Sequence, residues 1–461
     1  MAAVRHVAVI DIGKTNAKLA LVDLETLSEV AVRRTANRPV IEGPYRHHDV
    51  EKLWAFTLDS LKALGEGQKI DAISVTTHGA TAVLLDAGGS PALPVLDYED
   101  DGPASLRVSY DALRPKFEET GSPPLQNGLN LGAQLFWQSR TFPDAFGRVA
   151  TILTYPQYWG WRLTGVMASE VTSLGCHTDL WSPYHGDFST LVDCLAWRKL
   201  FPALLPASAR LGTLRPELAA RTGLDPSTPV HCGIHDSNAS LLPHLLARKA
   251  PFSVVSTGTW VVSMTVGGHD VALDPARDTL VNVNALGDPV RSARFMGGRE
   301  FELLAASLNA VADEAALSSV LTSKIMLLPS VQQGSGPFPT AKAHWIGTPS
   351  PGERPVAIAF YLAMMTATCL DLIGAEGDIV IEGPFAANRY YCAMVQAATG
   401  RPVLAQADQS TGTSIGAALL ADMARRPPSG TAGRRNFPPA WSHYAQDWRA
   451  ATRLNGYSAP E

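Results

Sequence analysis

Two short strands that run directly into a glycine turn constrain this chain more than any other feature. The first strand, residues 7–10, leads into Asp11-Ile-Gly-Lys-Thr-Asn-Ala-Lys18, and the second, residues 253–256, leads into Thr257-Gly-Thr-Trp260. Because glycine has no Cβ, such turns allow backbone N–H groups to approach phosphate oxygens closely. Each turn opens one large part of the chain. The sequence therefore predicts a duplicated α/β scaffold that grips a chain of phosphates from both sides.

Composition narrows the class of protein. The length of 461 residues predicts two or three domains, and 46% hydrophobic with 18% charged residues is typical of a soluble globular protein with a large core. A net charge of −5 without a long basic run argues against nucleic acid as a partner. Five cysteines without a Cys-x-x-Cys pair predict free thiols and a cytoplasmic location. The most apolar segment, 356–370, predicts a buried helix and no membrane span.

Apolar patterns predict strands and helices in alternation along the chain. In the first half, strands are expected at 7–12, 18–23, 29–34, 70–76, 82–86 and 229–233, and helices at 157–163 and 237–246. In the second half, strands are expected at 252–256, 261–266 and 378–381, and helices at 300–310, 356–373, 390–399 and 414–424.

The first glycine turn carries side chains suited to a nucleotide. Asp11 ends the strand, where a carboxylate can hold Mg²⁺ together with bound waters, although it could also be an ordinary turn-initiating aspartate. After Gly13, Lys14 could contact a phosphate or remain a solvated turn lysine. Thr15 and Asn16 offer hydroxyl and amide donors. We therefore expect this turn to bind phosphate.

The second turn repeats the pattern. Gly258 and Thr259 stand where Gly13 and Lys14 stand in the first turn, and Thr259 can donate to phosphate through its hydroxyl and its backbone N–H. The alternative is a simple β-hairpin glycine followed by a strand threonine.

Asp236 lies where a short apolar strand stops and a helix begins. That position in an α/β core faces a crevice, and a carboxylate there could accept the proton of a sugar hydroxyl during phosphoryl transfer. An aspartate followed by Ser-Asn-Ala is also a good helix N-cap, and the two roles can coexist.

Six segments in the same order, between about residues 7 and 425, resemble the FGGY carbohydrate kinases, a branch of the actin–hexokinase–Hsp70 ATPase superfamily. They are Asp11-Ile-Gly-Lys-Thr-Asn-Ala-Lys18, Arg162-Leu-Thr-Gly165 with Ala168-Ser-Glu170, Gly233-Ile-His-Asp-Ser237, Val255-Ser-Thr-Gly-Thr-Trp260, Glu382-Gly-Pro-Phe-Ala-Ala-Asn388 with Ala397-Ala-Thr-Gly-Arg-Pro-Val403, and Thr413-Ser-Ile-Gly-Ala-Ala418.

The resemblance implies an α/β fold with two actin-like (ribonuclease H-like) domains and a deep inter-domain cleft. It implies a sugar-binding domain that contains the catalytic base at 1–241, a nucleotide-binding domain at 242–430 and a C-terminal extension at 431–461. Within this family Asp236 would be the catalytic base. Gly383 and Asn388 would bind adenosine, or form a plain βα connection, and Gly412 would approach the nucleotide.

The resemblance also implies where the sugar binds. His78 and Gly79 end a strand at the place where the family makes sugar contacts, and Asp97 and Gln134 follow along the chain. A histidine is more often a satisfied core or surface residue than a ligand, so that alternative stays open for His78.

The activity implied is ATP-dependent, Mg²⁺-assisted phosphorylation of a small-molecule sugar. The Ser-Thr-Gly-Thr-Trp form of the second turn is similar to that of the rhamnulose and fuculose kinases, which favours L-fuculose or L-rhamnulose over ketopentoses. The sequence predicts neither nucleic acid nor membrane as a partner and leaves a homodimer open. Two rival functions are an actin-fold ATPase and a non-catalytic sugar sensor, and the intact Asp11, Gly13, Asp236 and Gly258 argue against the sensor.

Overall fold

The computed structural model describes residues 4–306, 311–406, 412–430, 432–433 and 435–455. Its strands are His6–Ile12 (β1), Asn16–Asp23 (β2), Ser28–Ala36 (β3), Ala72–Thr77 (β4), Ala82–Asp86 (β5), Val149–Thr154 (β6), Trp181–Ser182 (β7), Asp187–Phe188 (β8), Arg210–Thr213 (β9), Pro229–His231 (β10), Ile234–His235 (β11), Phe252–Thr257 (β12), Val261–Val266 (β13), Thr279–Val283 (β14), Pro289–Phe295 (β15), Met326–Leu328 (β16), His344–Ile346 (β17), Asp378–Glu382 (β18) and Val403–Gln406 (β19).

Its α-helices are Val50–Gly65 (α1), Arg107–Asp111 (α2), Phe117–Thr120 (α3), Leu131–Thr141 (α4), Pro143–Phe146 (α5), Tyr155–Thr164 (α6), Val171–Leu174 (α7), Thr190–Cys194 (α8), Pro216–Thr222 (α9), Asp236–Ala247 (α10), Gly297–Ala305 (α11), Glu314–Ser323 (α12), Glu353–Leu372 (α13), Arg389–Thr399 (α14), Gly412–Leu419 (α15) and Pro439–Leu454 (α16). Short 3₁₀ segments are Gly102–Leu106, Arg198–Leu200, Pro275–Arg277 and Pro384–Ala387.

The chain divides into two compact units, each built from three separate stretches. The first unit contains Met1–Ala247, Val281–Pro289 and Thr411–Pro428. The second unit contains Arg248–Leu280, Val290–Ser410 and Ser429–Glu461. The predicted domain boundary at 241/242 lies close to the first of these divisions.

The first unit is organised on a sheet with the strand order β3-β2-β1-β4-β10-β9, with β11 also paired to β4. Strands β1, β2 and β3 form an antiparallel meander, whereas β4 runs parallel to β1, and β10 and β11 run parallel to β4. The central strands β1 and β4 are almost wholly buried, as is typical of strands in a parallel sheet that is covered on both faces.

The second unit repeats this arrangement in a sheet with the order β14-β15-β13-β12-β18-β19. Strands β12 and β13 form a hairpin, β15 extends it antiparallel, and β18 runs parallel to β12. The order β15-β13-β12-β18 thus matches β3-β2-β1-β4 in the first unit. The predicted duplication is confirmed at the level of sheet topology.

Helix α13 is the centre of the second unit's core. It begins three residues before the predicted apolar segment and has twenty residues. By length and composition alone, such a helix could cross a membrane. However, 78% of its most apolar window is buried inside the protein, as expected for a core helix.

The predicted helix at 300–310 occurs as α11, which begins at Gly297 and ends at Ala305. Residues 307–310 of that prediction lie outside the described residues. The last predicted helix, 414–424, occurs as the shorter α15, which ends at Leu419 before a series of turns.

Candidate active site

The parallel register of the first sheet brings three predicted site segments to one edge. Ile12 at the end of β1 pairs with Thr77 at the end of β4, and Thr77 pairs with His235 at the end of β11. Parallel strands end at the same edge of a sheet. The glycine turn, His78 and Asp236 each follow a strand that ends at this edge. The backbone N–H of His78 donates to the Ile12 carbonyl at 3.0 Å, which fixes the two segments together.

The first glycine turn is a tight connection between β1 and β2. The Gly13 N–H donates to the Asn16 carbonyl at 2.9 Å, and the side chain of Asn37 donates to the Gly13 carbonyl at 2.8 Å. The Asn16 amide donates to the Thr15 hydroxyl at 3.0 Å. Thr15 and Asn16 are exposed. The turn is therefore preformed by its own backbone and by Asn37, with two polar side chains at its surface.

Asp11 lies in a charged cluster on the neighbouring strands. The Lys18 ammonium lies 3.5 Å from Asp11 Oδ2 and 2.9 Å from Glu29 Oε1. Burial raises the pKa of the Asp11 carboxyl to about 6, the Lys18 ammonium opposing that rise and the Asp236 carboxylate adding to it. The Asp236 carboxylate is therefore one of the charges that act on Asp11.

Asp236 is the first residue of α10, and among the described residues the contacts of its carboxylate fall on one oxygen. Oδ1 accepts the Ser237 N–H at 2.6 Å and the Ser237 hydroxyl at 3.3 Å, and it lies 3.2 Å from His235 Nε2. The side chain is 34% exposed. Desolvation raises its pKa, while His78 and the Ser237 donors oppose the rise.

Lys14 and Asp97, predicted for phosphate and sugar respectively, contact each other. The Lys14 ammonium bridges both carboxylate oxygens of Asp97 and lies 3.3 Å from Glu99 Oε2. Arg46 Nε donates to Asp97 Oδ2 at 3.1 Å. Burial opposes ionisation of the fully buried Asp97, but the Lys14 ammonium and the Glu99 N–H hold its pKa below the usual range. The cluster ties the glycine turn to the loop that follows β5.

His78 and Gln134 stabilise the loop that follows β4. The Nδ1 atom of His78 lies 2.9 Å from the Gly79 carbonyl, and burial lowers the pKa of its imidazole. The side-chain amide of Gln134 donates to the Ala80 carbonyl at 2.6 Å and to the Gly128 carbonyl. Both side chains are buried. A Cβ at Gly79 would lie 2.8 Å from His235 Nε2, so glycine is needed there for close packing.

Sequence reasoning missed the aromatic side chains around His78. The rings of His48, Tyr98 and Tyr155 have centroids 5.2, 5.6 and 5.2 Å from that of His78. Both nitrogens of His48, Nε2 of His78 and the Tyr155 hydroxyl are buried without a partner among the described residues. Orphaned buried polar atoms are rare and call for an explanation. The sequence signal was slight, because His48 follows another histidine and Tyr155 opens an ordinary helix.

In the second unit, the glycine turn lies beside the loop that follows β18. The Gly258 N–H donates to the Trp260 carbonyl at 2.9 Å, and a Cβ at Gly298 would lie 2.1 Å from the Gly258 carbonyl oxygen. The start of α11 therefore packs directly on the turn that contains Thr259, and only glycine permits the contact.

Gly383 is brought to the same turn by the β12–β18 pairing. It adopts a φ of 81°, and a Cβ would lie 2.1 Å from the Thr257 carbonyl oxygen. The Thr257 hydroxyl donates to the Glu382 carbonyl and accepts the Phe385 N–H at 3.1 Å. Asn388 caps α14 by accepting the N–H groups of residues 390 and 391 at 3.0 and 3.1 Å.

Gly412 belongs to the first unit, unlike the other residues predicted to bind the nucleotide base and ribose. It begins α15, which belongs to the first unit and packs against α10. Its neighbour Thr413 shares a hydrogen bond of 2.7 Å with the Ser240 hydroxyl of α10.

Two family models match consecutive parts of the chain. The model described as "FGGY family of carbohydrate kinases, N-terminal domain" matches residues 6–243, and "Carbohydrate kinase FGGY, C-terminal domain" matches residues 249–429. Among curated relatives, the L-fuculokinase of Salmonella typhi is 26% identical over 273 residues, which are 57% of each chain. The chain thus matches little more than half of the length of that relative. The xylulose kinase of Escherichia coli K12 is 24% identical over 450 residues, 91% of this chain and 90% of that one.

Solved structures share the whole architecture. A carbohydrate kinase from Novosphingobium aromaticivorans superposes with a TM-score of 0.90 at 35% identity, covering 98% of this chain and 100% of that one. The ADP complex of a glycerol kinase from Plasmodium falciparum superposes with a TM-score of 0.79 at 14% identity over 97% and 98% of the two chains, a likeness of fold alone. From the two family models, which together cover most of its length in the predicted order, we conclude that the chain belongs to the FGGY family of carbohydrate kinases and has the two actin-like domains of that fold.

Proposed function

We propose that this carbohydrate kinase transfers the γ-phosphoryl group of ATP to a hydroxyl of a ketose or deoxyketose, with Asp236 as the general base. In that reaction the sugar oxygen forms a new bond to phosphorus, its proton passes to the Asp236 carboxylate, and the bond to the leaving ADP oxygen breaks. Protonated Asp236 then returns its proton to solvent.

The arrangement of the Asp236 carboxylate carries this proposal. The contacts that its described surroundings make all fall on Oδ1, whereas Oδ2 keeps its lone pairs for another donor. The side chain retains 34% exposure although its strand neighbours are buried, so a hydroxyl can reach it. A general base needs this combination of a fixed carboxylate and one accessible oxygen.

We assign the other predicted residues by domain. In the first domain, proposed for residues 1–241, His78, Gly79, Asp97 and Gln134 would bind or shape the sugar site, and Gly13, Lys14, Thr15 and Asn16 would bind phosphate. In the second, proposed for residues 242–430, Gly258, Thr259, Gly383 and Asn388 would bind the nucleotide. Gly412 would act from the start of α15. We expect the protein to act in the cytoplasm.

Asp11 fits the requirements of a nucleotide-bound Mg²⁺. Its side chain is 17% exposed, and the negative charge of Asp236 acts on its carboxylate. A cation bound to Asp11 would relieve the repulsion between the two carboxylates. No group of three potential ligands occurs among the residues that the structure describes. Mg²⁺ in such sites needs only one or two carboxylates, since phosphates and waters complete its shell. When bound, the ion would neutralise phosphate charge.

The relatives support the proposed substrate class. The L-fuculokinases and xylulose kinases that the chain resembles are named for ketoses, and the Ser-Thr-Gly-Thr-Trp turn favours the 6-deoxyketoses L-fuculose and L-rhamnulose. The Lys14–Asp97–Arg46 cluster supplies charged hydrogen-bonding groups of the kind that sugar hydroxyls pair with.

Substitution of Asp236 tests the proposed function. Asp236→Asn keeps the size and Ser237 contacts of the side chain but removes its basicity, so we expect sugar phosphorylation to fall by about 10²- to 10⁴-fold. ADP release should be measured by a coupled assay over L-fuculose, L-rhamnulose, D-xylulose and L-xylulose, each with a matching reaction that lacks sugar.

Two outcomes would contradict the proposal. A variant with nearly normal turnover would remove Asp236 from the chemistry. ADP release by the unchanged protein at the same rate with and without every sugar would instead identify an ATPase. Nucleotide affinity should stay within a few-fold in Asp236→Asn, which separates lost chemistry from lost folding.

A further inference from the structure

We propose that Arg294 binds a phosphate of the nucleotide beside the second glycine turn, as the cationic partner of Gly258 and Thr259. This inference rests on the proposed binding of phosphate by that turn. It gives the second unit a positively charged group of the kind that phosphoryl transfer requires.

Arg294 lies on a strand that is close to the second turn. In the sheet, Arg294 of β15 pairs with Val262 of β13, which stands two residues after Trp260. The guanidinium carbon lies 4.7 Å from the centroid of the Trp260 ring. Trp260 directly follows Thr259, so this cation–π contact holds the charge next to the turn.

The backbone that follows Arg294 is fixed to the same turn. A Cβ at Gly298 would collide with the Gly258 carbonyl oxygen, so the two backbones are in direct contact. The next residue, Arg299, donates its backbone N–H to the Thr259 carbonyl at 3.4 Å. The segment that carries the arginine is therefore held against the turn, as a preorganised binding site requires.

The guanidinium of Arg294 lacks acceptors. Its Nε is buried without a hydrogen-bond partner among the described residues. The ion pair with Asp278 is long, at 3.6 Å from Nε to Oδ1, while Asp278 Oδ2 accepts the Gly336 N–H at 2.6 Å. The arginine side chain is only 14% exposed. A sheltered cation without a hydrogen-bonded acceptor is unfavourable by itself, and a bound anion removes that cost.

Arg291 shows how an arginine on the same strand is normally satisfied. Its side chain is 13% exposed, almost the same as that of Arg294. However, Arg291 donates to Asp270 Oδ1 at 2.8 Å and to the Gly267 carbonyl at 3.2 Å. Low exposure alone therefore does not explain the unused donors of Arg294. A buried donor without a partner calls for an explanation, and a ligand that brings the acceptor supplies one.

Phosphate suits these unused donors. A guanidinium presents parallel N–H groups whose spacing matches two phosphate oxygens, and contact with an aromatic face leaves those in-plane groups available. The turn offers backbone N–H groups but no charged side chain of its own, because Gly258 and Thr259 are neutral. Arg294 supplies the missing positive charge.

Substitution of Arg294 tests the inference, and Arg291→Gln is the matched control. We expect Arg294→Gln to weaken the affinity for ATP by about 10- to 100-fold, because charge-assisted hydrogen bonds are lost. The affinity for adenosine, which carries no phosphate, should stay within about threefold. Arg291→Gln should stay within about threefold for both ligands. Calorimetric titration without sugar measures ATP binding, and displacement of ATP measures adenosine binding.

Two results would overturn the inference while the proposed function stands. One is an ATP affinity of Arg294→Gln equal to that of Arg291→Gln. The other is an equal loss of ATP and adenosine binding, which a merely structural role would cause. In contrast, a native protein that neither binds ATP nor phosphorylates any sugar would overturn the proposed function itself.

Thermal unfolding shows whether Arg294→Gln folds. Should it not fold, Arg294→Lys takes its place, because lysine keeps the charge but lacks the planar fork of arginine. We then expect a loss of about three- to tenfold for ATP and none for adenosine. An unchanged affinity of Arg294→Lys for ATP would overturn the inference.

Discussion

Glu170 is a carboxyl group that the structure buries completely. It precedes α7, and its oxygens accept the backbone N–H groups of Thr172 and Ser173 at 2.9 and 3.3 Å and the Thr172 hydroxyl at 2.6 Å. Because the Thr172 hydroxyl also accepts the N–H of His235, this chain of bonds extends toward the residue beside Asp236. Burial raises the pKa of Glu170 to about 7, although the Thr172 and Ser173 donors oppose the rise.

This pKa gives a signed prediction for stability against pH. At a pH between about 4.5 and 7, Glu170 is protonated in the folded protein but ionised in the unfolded chain. Its contribution to the free energy of unfolding is therefore complete below about pH 4.5 and is lost as the pH rises to about 7. The free energy of unfolding of the native protein, relative to Glu170→Gln, should therefore fall on the order of 3 kcal/mol between pH 4.5 and 8.

Urea unfolding of both proteins at several pH values measures this difference, in which the other titrating groups cancel. Glu217→Gln on α9 is the control, because that side chain is 57% exposed. A difference that does not vary with pH would show that Glu170 ionises in the folded protein as it does in the unfolded chain.

Helices α10 and α15 pack with their backbones in direct contact. A Cβ at Gly416 would lie 1.7 Å from the Ala239 carbonyl oxygen, so this crossing requires glycine. Helix α10 begins at Asp236, and the packing of α15 therefore helps to set the position of that residue.

Replacement of Gly416 by alanine should push these two helices apart. We expect Gly416→Ala to lower the free energy of unfolding by about 1–3 kcal/mol and to lower kcat as well, since α10 must shift. Thermal unfolding and steady-state kinetics measure the two effects. Gly67→Ala, where the nearest atom to a new Cβ is 3.9 Å away, should stay within about 0.5 kcal/mol. Equal stability of the two variants would mean that the helices tolerate the extra methyl group.

The sequence predicted elements better than contacts. The strands predicted at 7–12, 18–23 and 29–34 occur as β1, β2 and β3. They were identifiable because short runs that contain apolar residues stand between turns marked by glycine or aspartate. The pairing of Lys14 with Asp97 was not predictable, because 83 residues separate the two in sequence and only the loop after β5 brings them together. The contact of 3.3 Å between Asn238 Nδ2 and His235 Nδ1 likewise depends on side-chain directions that no local pattern reveals.

The C-terminal helix α16 is part of the second unit's core. Trp441, Tyr444 and Trp448 are buried in the cluster that contains α13. The Tyr444 hydroxyl donates to the Ile325 carbonyl and Trp448 Nε1 to the Leu327 carbonyl, both at 2.8 Å. The segment predicted as an extension therefore contributes apolar burial and hydrogen bonds to the unit that it follows.

Truncation of Trp448 tests how much α16 contributes to the molecule. Trp448→Ala should lower the free energy of unfolding by about 3–5 kcal/mol, because it leaves a cavity and an unpaired Leu327 carbonyl. Calorimetry should show a lower unfolding temperature. Gln446→Ala, on the exposed side of the same helix, should change it little. A Trp448→Ala protein as stable as this control would show that α16 is dispensable.

The threading of the chain through both units has a consequence for synthesis on the ribosome. Helix α15 covers apolar residues of β1 and β2, yet about 165 residues separate it from the end of α10. At about 5–20 residues per second, translation leaves that sheet face bare for roughly 10–30 s. The nascent chain should therefore be a client for chaperones that shield apolar surfaces until Leu419 has left the exit tunnel.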